Sequence, residues 1–279
     1  MSVSQCQPTV FLSHGAGPSF YMDATVEPKV KGLDKDSNAV KGLKSFVADH
    51  NIITPKALVV FSAHYDEDIC SVTSSENYSL DYDYGDFQWP PETYEIRWPV
   101  VGAPDVAMRV KELLESKGIS CNADSNRGLD HGVFVPLKLV FPEADIPVIE
   151  VSLLKSLDMA EHLKIGEALS DLSKENILVI GSGFASHAGM CQTDLPWAEP
   201  YRKWLHDLVS NPKYSAKERK DRFLAYSEEK SFSSAHKTIE HFLPIAMSCA
   251  ASGYQPGTIL HSEFVMGSLL YDHYKFQAK

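Results

Sequence analysis

Short apolar runs rich in β-branched residues alternate along the chain with longer segments whose apolar positions recur at helical spacing. The short runs predict β-strands and the longer segments predict amphipathic helices. Such alternation is typical of α/β proteins, in which helices connect parallel strands. The predicted strands are Thr9 to Ser13, Ala57 to Ala63, Ile69 to Thr73, Ile146 to Ser152, Ile177 to Gly181, Gly257 to Ser262 and Gly267 to Tyr274.

The longer segments predict helices that pack an apolar stripe against the sheet. Since no internal repeat or linker interrupts the pattern, it favours one α/β domain over residues 1–279, with a central, mostly parallel sheet flanked by helices. The predicted helices are Pro104 to Lys117, Val133 to Phe141, Leu157 to Ser173, Pro196 to Ser210, Ala216 to Glu229 and Ile239 to Ser252.

The segment from Tyr78 to Pro104 is rich in aromatic residues and proline and fits neither pattern. It is too long for a simple connection, and its aromatic side chains need burial. We therefore expect it to form a lid or the wall of a pocket.

The charge balance narrows the range of partners. Lys and Arg number 26 against 37 Asp and Glu, which gives a formal net charge of -11, and the mean hydropathy is -0.19. A chain this acidic repels phosphate backbones and anionic lipids, so neither nucleic acid nor a membrane surface is an expected partner.

Cysteine usage and the apolar segments indicate a compartment. The five cysteines are odd in number and widely spaced, which suits neither a disulfide scaffold nor a Cys-rich zinc site. The first residues lack the features of a secretory signal, and the longest uncharged apolar stretch, His241 to Tyr254, is too short to cross a bilayer. We expect a cytosolic protein.

Three of the eleven histidines follow predicted strands that are far apart in the sequence. These are His14, His64 and His187. Because the carboxyl ends of parallel strands line the ligand crevice of an open sheet, we expect the three imidazoles to meet there. Convergent imidazoles indicate metal binding or proton transfer.

Two further segments carry similar residue types. Asp130 and His131 precede an apolar helix, and Glu240 and His241 precede another, a few residues after His236. The remaining histidines have simpler interpretations. His50, His162 and His206 fit solvated helical positions, and His261 and His273 fit a structural role as well as a pocket role.

Two other interpretations of the glycine-rich turn are weak. The turn Gly181-Ser-Gly183 lacks the full dinucleotide-binding fingerprint. Ser182 also lacks the glycine spacing of a nucleophile elbow, so neither nucleotide binding nor serine hydrolysis is favoured.

Six short motifs contain these residues and are spread over nearly the whole chain. They are Ser13-His-Gly-Ala-Gly-Pro18, Ser62-Ala-His-Tyr-Asp66, Arg127-Gly-Leu-Asp-His-Gly132, Pro142-Glu-Ala-Asp-Ile-Pro147, Gly181-Ser-Gly-Phe-Ala-Ser-His187 and Glu240-His-Phe-Leu-Pro244. In type and order they resemble the motifs of the class III (LigB-type) extradiol ring-cleavage dioxygenases, most closely the DOPA extradiol dioxygenase branch.

The resemblance implies one divalent metal ion at the carboxyl edge of the sheet, Fe(II) or, in some isolated members, Zn(II). By analogy its ligands are His14, His64 and His241, with Glu240 as the alternative to His241. The resemblance also implies that His187 is the base, with a fourth-ligand role left open, and that His131 is the second pocket histidine.

The implied reaction is cleavage of a catechol ring with dioxygen to a muconate semialdehyde. A metal with few protein ligands leaves room for both catechol oxygens and dioxygen, and a histidine can take a catechol proton near neutral pH. Further candidate roles are orientation of the imidazoles, pocket walls and a partner for a substrate carboxylate. The residues are Asp66 and Asp130 for orientation, Trp89, Tyr94 and Trp98 for the walls, and Arg97 and Arg127 for the carboxylate. Each set has an alternative: the aspartates fit solvated turns equally well, the aromatic side chains fit packing within the lid, and the two arginines fit surface salt bridges better.

Two other classes of function stay open. A zinc hydrolase could use the same imidazoles to activate water. A non-enzymatic interaction protein could use the same scaffold, although a pure binding module has no need of the histidines.

Overall fold

The computed structural model describes residues 6–85, 87–189 and 195–279. Within these residues, eight strands form one sheet in the order β4-β3-β5-β2-β6-β1-β8-β7. The strands are β1 (Thr9–Ser13), β2 (Ala57–Glu67), β3 (Ser71–Thr73), β4 (Asn122–Asp124), β5 (Val148–Leu154), β6 (Ile177–Gly183), β7 (Gly257–Val265) and β8 (Leu269–Phe276).

The centre of the sheet is parallel. β2 pairs with β5 and β6, and β6 pairs with β1, all in parallel, whereas β8 is antiparallel to both β1 and β7. The predicted single α/β domain with a mostly parallel sheet is therefore confirmed.

Helices cover both faces of the sheet. The helices are α1 (Asn38–Asp49), α2 (Pro104–Ser116), α3 (His131–Val140), α4 (Met159–Ala168), α5 (Ala198–Ser210), α6 (Ala216–Leu224), α7 (Phe232–Ala235) and α8 (Leu243–Ala251). Alternate residues of the central strands enter two cores: Leu58 and Val60 pack with α1 and α3, while Val59 and Phe61 pack with α2, α4 and α8. No helix in the described ranges is long and apolar enough to span a bilayer.

The element boundaries differ from prediction at several places. The helix expected from Leu157 to Ser173 ends at Ala168 and continues as a 3-10 segment, Ser170–Glu175, which stops at Asn176 in the left-handed conformation. The helix expected to begin at Ile239 begins at Leu243. β4 and α1 were not predicted.

Two glycines allow α8 to approach its neighbours closely. A Cβ on Gly166 of α4 would lie 2.4 Å from the carbonyl oxygen of Met247, and one on Gly181 of β6 would lie 2.3 Å from that of Pro244. The segment Gly181-Ser-Gly183, expected to be a turn, is instead the end of β6 and serves packing, because a side chain at Gly181 would displace the start of α8. That start carries His241 to the end of β6.

Candidate active site

A cavity of about 590 Å³ lies at the carboxyl edge of the parallel strands. Among the described residues that line it are five histidines from five separate segments of the chain. They are His14, His64, His131, His187 and His241. The predicted convergence of strand-end histidines is thus found, with two more imidazoles joining from the starts of α3 and α8.

Each histidine is placed by the end of a regular element. His14 directly follows β1, and its backbone N–H donates to Gly183 O at 3.0 Å. His64 lies near the end of β2, inside the register shift between Phe61 and Asp66. His187 follows β6, and its N–H donates to Ala235 O at 2.8 Å.

The imidazoles of the predicted metal ligands are neighbours. Nε2 of His14 lies 3.2 Å from Nε2 of His64, and the ring centroid of His241 lies 5.2 Å from that of His14 and 5.1 Å from that of His64. His131 is also close, with its ring centroid 4.0 Å from that of His64. His187 stacks on His241 at 3.9 Å.

Two compact groups of possible ligand atoms emerge within the described residues. In the first, nitrogens of His14, His64 and His131 all lie within 4.8 Å of one another; in the second, the atoms belong to His187, Glu240 and His241. The predicted set of His14, His64 and His241 spans the two groups. The donor set suits a metal that prefers imidazole and carboxylate ligands.

Hydrogen bonds to the Nδ1 atoms orient the histidine rings so that Nε2 faces the cavity. Nδ1 of His14 lies 3.0 Å from the hydroxyl oxygen of Ser182, whose proton is donated to Gly132 O. Nδ1 of His14 is therefore the donor in its contact with Ser182, and the Nε2 lone pair stays free. This contact gives Ser182 a role unrelated to nucleophilic catalysis.

Glu240 holds His241 in the same way. Its Oε1 lies 2.9 Å from Nδ1 of His241. Burial raises the pKa of Glu240, but hydrogen bonds from His241 and Thr238 outweigh this effect and lower it to about 2. A carboxylate that accepts the Nδ1 proton leaves Nε2 of His241 as the ligand atom.

Asp83 is the functional residue that sequence reasoning missed. Its Oδ1 accepts hydrogen bonds from both the backbone N–H and Nδ1 of His131, each at 2.8 Å, and its Oδ2 lies 3.6 Å from Nδ1 of His64. Asp83 lies in the aromatic segment, for which the sequence analysis assigns roles only to aromatic residues. An acidic residue between two tyrosines, Tyr82-Asp-Tyr84, is the feature of the sequence that could have indicated it.

Burial keeps three of the cavity histidines neutral. It lowers the pKa of His14 and His64 well below 6.5, and the neighbouring imidazoles lower both further. Burial and the stacked ring of His241 lower the pKa of His187 to about 3. Neutral imidazoles are the form that binds metal and accepts protons.

The aromatic segment only partly forms the expected wall. Trp89 lines the cavity, together with Tyr84 and Phe87. Trp98 instead packs in the core and donates its indole N–H to Phe141 O, and Tyr94 packs against Tyr84 outside the cavity lining. The prediction of a pocket wall therefore holds for Trp89 and is wrong for Tyr94 and Trp98.

The predicted salt bridge of Arg127 is not at the surface. Its guanidinium bonds to Asp130 at 3.2 Å and to Glu150 at 3.4 Å, both fully buried carboxyls, and lies 3.9 Å above the ring of Tyr65. Asp130 thereby supports the start of α3, accepting a hydrogen bond from Ser62 as well. Neither Arg127 nor Arg97 lines the cavity.

Two other expectations about polar residues need correction. Asp66 is exposed, so it does not orient an imidazole. His162, expected in solvent, is fully buried and bonds to Leu154 N and Asp158 O. The apolar side of α4 therefore includes this histidine.

The other histidines lie outside the cavity and have structural partners. Nδ1 of buried His273 accepts from Ser13 N, His261 pairs with Glu263, and Nε2 of buried His236 contacts the Tyr201 hydroxyl at 2.9 Å. His206 pairs with buried Asp272, and His50 is half-buried against Phe46.

Comparisons with known proteins match nearly the whole chain. The family described as the catalytic LigB subunit of aromatic ring-opening dioxygenase matches residues 8–275. The chain is 33% identical to the 4,5-DOPA dioxygenase extradiol of Beta vulgaris, over 99% of this chain and 98% of that protein. It is 32% identical to the protein of the same name from Portulaca grandiflora, over 95% and 94% of the two chains.

A solved structure shares the fold. It is the crystal structure of an uncharacterized protein from Escherichia coli K12, with a TM-score of 0.74 and 24% sequence identity, covering 97% of this chain and 99% of that one. At this identity the likeness concerns the fold alone.

Proposed function

We propose that this chain, which belongs to the LigB family of aromatic ring-opening dioxygenases, acts as one catalytic domain that cleaves a catechol ring with dioxygen to a muconate semialdehyde. The observation that carries the proposal is the convergence of five histidines on one cavity. The names of the plant relatives suggest DOPA as the first catechol to test. Widely spaced cysteines favour the cytosol as its location.

The proposed metal ligands are His14, His64 and His241. The fit rests on the chemistry of the donors: all three are imidazoles, and the contacts of His14 with Ser182 and of His241 with Glu240 leave Nε2 free. Fe(II) held there would supply neighbouring coordination positions for both catechol oxygens and dioxygen, and a path for electrons between them.

His187 is the proposed base. It lines the cavity, stacks on His241 and is partly exposed, so its free nitrogen can meet a catechol hydroxyl entering the cavity. The proton moves from that hydroxyl to the imidazole as the substrate binds.

His131 is the proposed second acid–base residue. Nδ1 of His131 is held by Asp83, which presents Nε2 to the cavity and stabilises the imidazolium when a proton arrives. In this arrangement His131 can hold a proton beside the oxygen atoms that react and return it to the ring-opened product.

Aromatic side chains form the outer wall that would receive the catechol ring. Tyr84 is buried, while Phe87 is 55% exposed and packs on Trp89 with ring centroids 5.7 Å apart. Such a wall provides offset ring contacts and keeps water from the substrate.

The test is an oxygen-uptake assay after anaerobic loading with Fe(II). A panel of DOPA, protocatechuate and simple alkylcatechols is offered in turn. We expect dioxygen consumption equal to the yellow semialdehyde formed for at least one catechol. No uptake with any catechol would overturn the proposal; hydrolytic turnover of ester substrates with Zn(II) would then favour the hydrolase, and no turnover with either metal would favour the interaction protein.

Three variants separate the proposed roles. His14→Ala is expected to lose bound metal, whereas His187→Ala keeps the metal and loses turnover. His50→Ala is the matched control, since this histidine lies outside the cavity, and it should keep both. Metal content measured by emission spectroscopy, beside oxygen uptake, checks all three; full metal and activity in His14→Ala or His187→Ala would contradict the assignment.

A further inference from the structure

Two cysteines directly precede a pair of adjacent strands, β3 and β4, of which β4 lies at the edge of the sheet. β3 and β4 pair in parallel with Ser71 opposite Asn122, so Cys70 and Cys121 occupy the preceding pair of positions. The N–H of Asn122 donates to Cys70 O at 2.9 Å. Paired strands lie about 4.8 Å apart, which falls within the Cα separation of roughly 4.4–6.8 Å that disulfides require.

The two thiols face the same side of the sheet. Both are unbridged and buried, with 1% and 3% exposure, and both belong to the core that packs against α2 and α4. The neighbouring Cys70 thiol and the Lys111 cation lower the pKa of Cys121. A lowered pKa increases the share of thiolate, the form of cysteine that reacts with oxidants.

A second cavity gives access to this pair. It has a volume of about 330 Å³ and is lined by Cys70 together with exposed residues such as Asp68 and Lys117. None of its lining residues belongs to the histidine cavity. A small oxidant can therefore approach the thiols without entering the proposed active site.

We propose that Cys70 and Cys121 form a redox dithiol that closes to a disulfide when a peroxide removes two electrons. One of the two thiols, as its thiolate, attacks one peroxide oxygen, forming a sulfenic acid as the O–O bond breaks; the hydroxide that leaves takes up the proton which that thiol had released. The other sulfur then attacks the sulfenic sulfur, the S–O bond breaks, and the hydroxyl leaves as water with the remaining thiol proton. The sum is two thiols and one hydrogen peroxide giving one disulfide and two waters.

The disulfide would join two segments of the chain that lead to the histidine cavity, one from Cys70 to Asp83 and the other from Cys121 to His131. Beyond β3 and β4, Ser74 N donates to Asp124 O and Leu129 N donates to Ser79 O. The two segments then end at the contact between Asp83 and His131. A covalent link at their base should restrict both segments, including the first part of the aromatic segment.

The test treats the full-length protein with hydrogen peroxide and maps its peptides by mass spectrometry. We expect a Cys70–Cys121 linked peptide, a loss of about 2 Da that dithiothreitol reverses, and amide hydrogen exchange about threefold slower in residues 79–85 and 125–131 than in the reduced protein. Exchange in α1 should stay unchanged. This readout needs no catalytic activity, so it fails or succeeds independently of the proposed dioxygenase reaction.

Cys121→Ser should form no link, and Cys70→Ala provides a second variant if the first does not fold. Cys249→Ser is the matched control, because Cys249 is also buried but lies on α8, and it should still form the link. Oxidation of exposed Cys6 without a Cys70–Cys121 link would overturn the proposal. If the disulfide forms but amide exchange in residues 79–85 and 125–131 stays unchanged, the proposed effect of the disulfide on these two segments is overturned.

Discussion

At the residue scale, the site depends on which nitrogen of each imidazole carries the proton. Ser182, Glu240 and Asp83 each contact Nδ1 of a cavity histidine, at 3.0, 2.9 and 2.8 Å. Three unrelated segments therefore produce the same result, an imidazole whose Nε2 faces the cavity. The orientation of these rings is set before any ligand binds.

Asp83→Asn tests this arrangement. The amide can still accept a hydrogen bond from His131, but it no longer stabilises a positive charge on that ring. We expect kcat to fall by roughly 10–100-fold, with a smaller change in KM and an altered pH profile of kcat. Steady-state kinetics over a pH series check this. Asp81→Asn is the control, because Asp81 is exposed and two residues away; an equal loss in both variants would rule out a specific role for Asp83.

The histidines could be predicted from the sequence, whereas their partners could not. His14, His64 and His187 stand out because each follows an apolar strand, and strand ends of a parallel sheet share one edge. Asp83 lies in a segment without periodicity, so nothing local indicates where its side chain points. Its position depends on pairing between residues 79–81 and Leu129.

At the element scale, α8 is held by close backbone contacts with α4 and β6. The contact at Gly166 is with the backbone of α8, which cannot move aside as a flexible side chain could. Since α8 begins just after His241, the packing of this helix also fixes a proposed ligand.

Gly166→Ala should therefore destabilise the protein. The added methyl would lie 2.4 Å from Met247 O, so the two helices must separate. We expect a loss of about 1–3 kcal/mol in the free energy of unfolding, measured by urea denaturation. The matched control is Gly42→Ala in α1, where nothing lies within 4 Å of the new methyl; it should gain about 0.5–1 kcal/mol. A neutral Gly166→Ala would contradict the close-packing argument.

The apolar pattern predicted most elements of the fold, and two were missed for different reasons. Each predicted strand overlaps an observed strand because buried central strands are rich in β-branched residues. β4 has the sequence Asn-Ala-Asp and is largely exposed, so only its pairing with β3 makes it a strand. α1 follows a Ser37 cap and buries Ala39, Val40, Leu43 and Phe46 at helical spacing, so its sequence does carry the pattern and the prediction overlooked it.

At the scale of the whole molecule, several histidines are buried in their neutral form. His162 is one that lies away from the cavity, where burial lowers its pKa. Its two nitrogens bond to Leu154 N and Asp158 O, a pattern that fits only the neutral ring. Folding therefore opposes protonation at this position.

The free energy of unfolding should fall as the pH drops below about 6.5, the pKa of an unfolded histidine. Below that pH the unfolded chain binds a proton that the folded chain does not, so the stability present at neutral pH is progressively lost, at up to about 1.4 kcal/mol per pH unit for each such histidine. Urea denaturation between pH 7 and 5 checks this. His162→Gln should show a shallower pH dependence, and an unchanged slope would exclude His162 as a contributor.

The histidines and the aromatic wall come from different parts of the architecture. All five cavity histidines lie at the ends of central strands or at the starts of helices packed on them, whereas Tyr84, Phe87 and Trp89 belong to a connection that leaves the sheet after β3. Replacements in that connection that keep Asp83, the hydrogen-bond partner of His131, need not disturb the interior. Grafting a different connection that retains this aspartate onto the same strands is thus a route to changing which molecules enter while preserving the chemistry within.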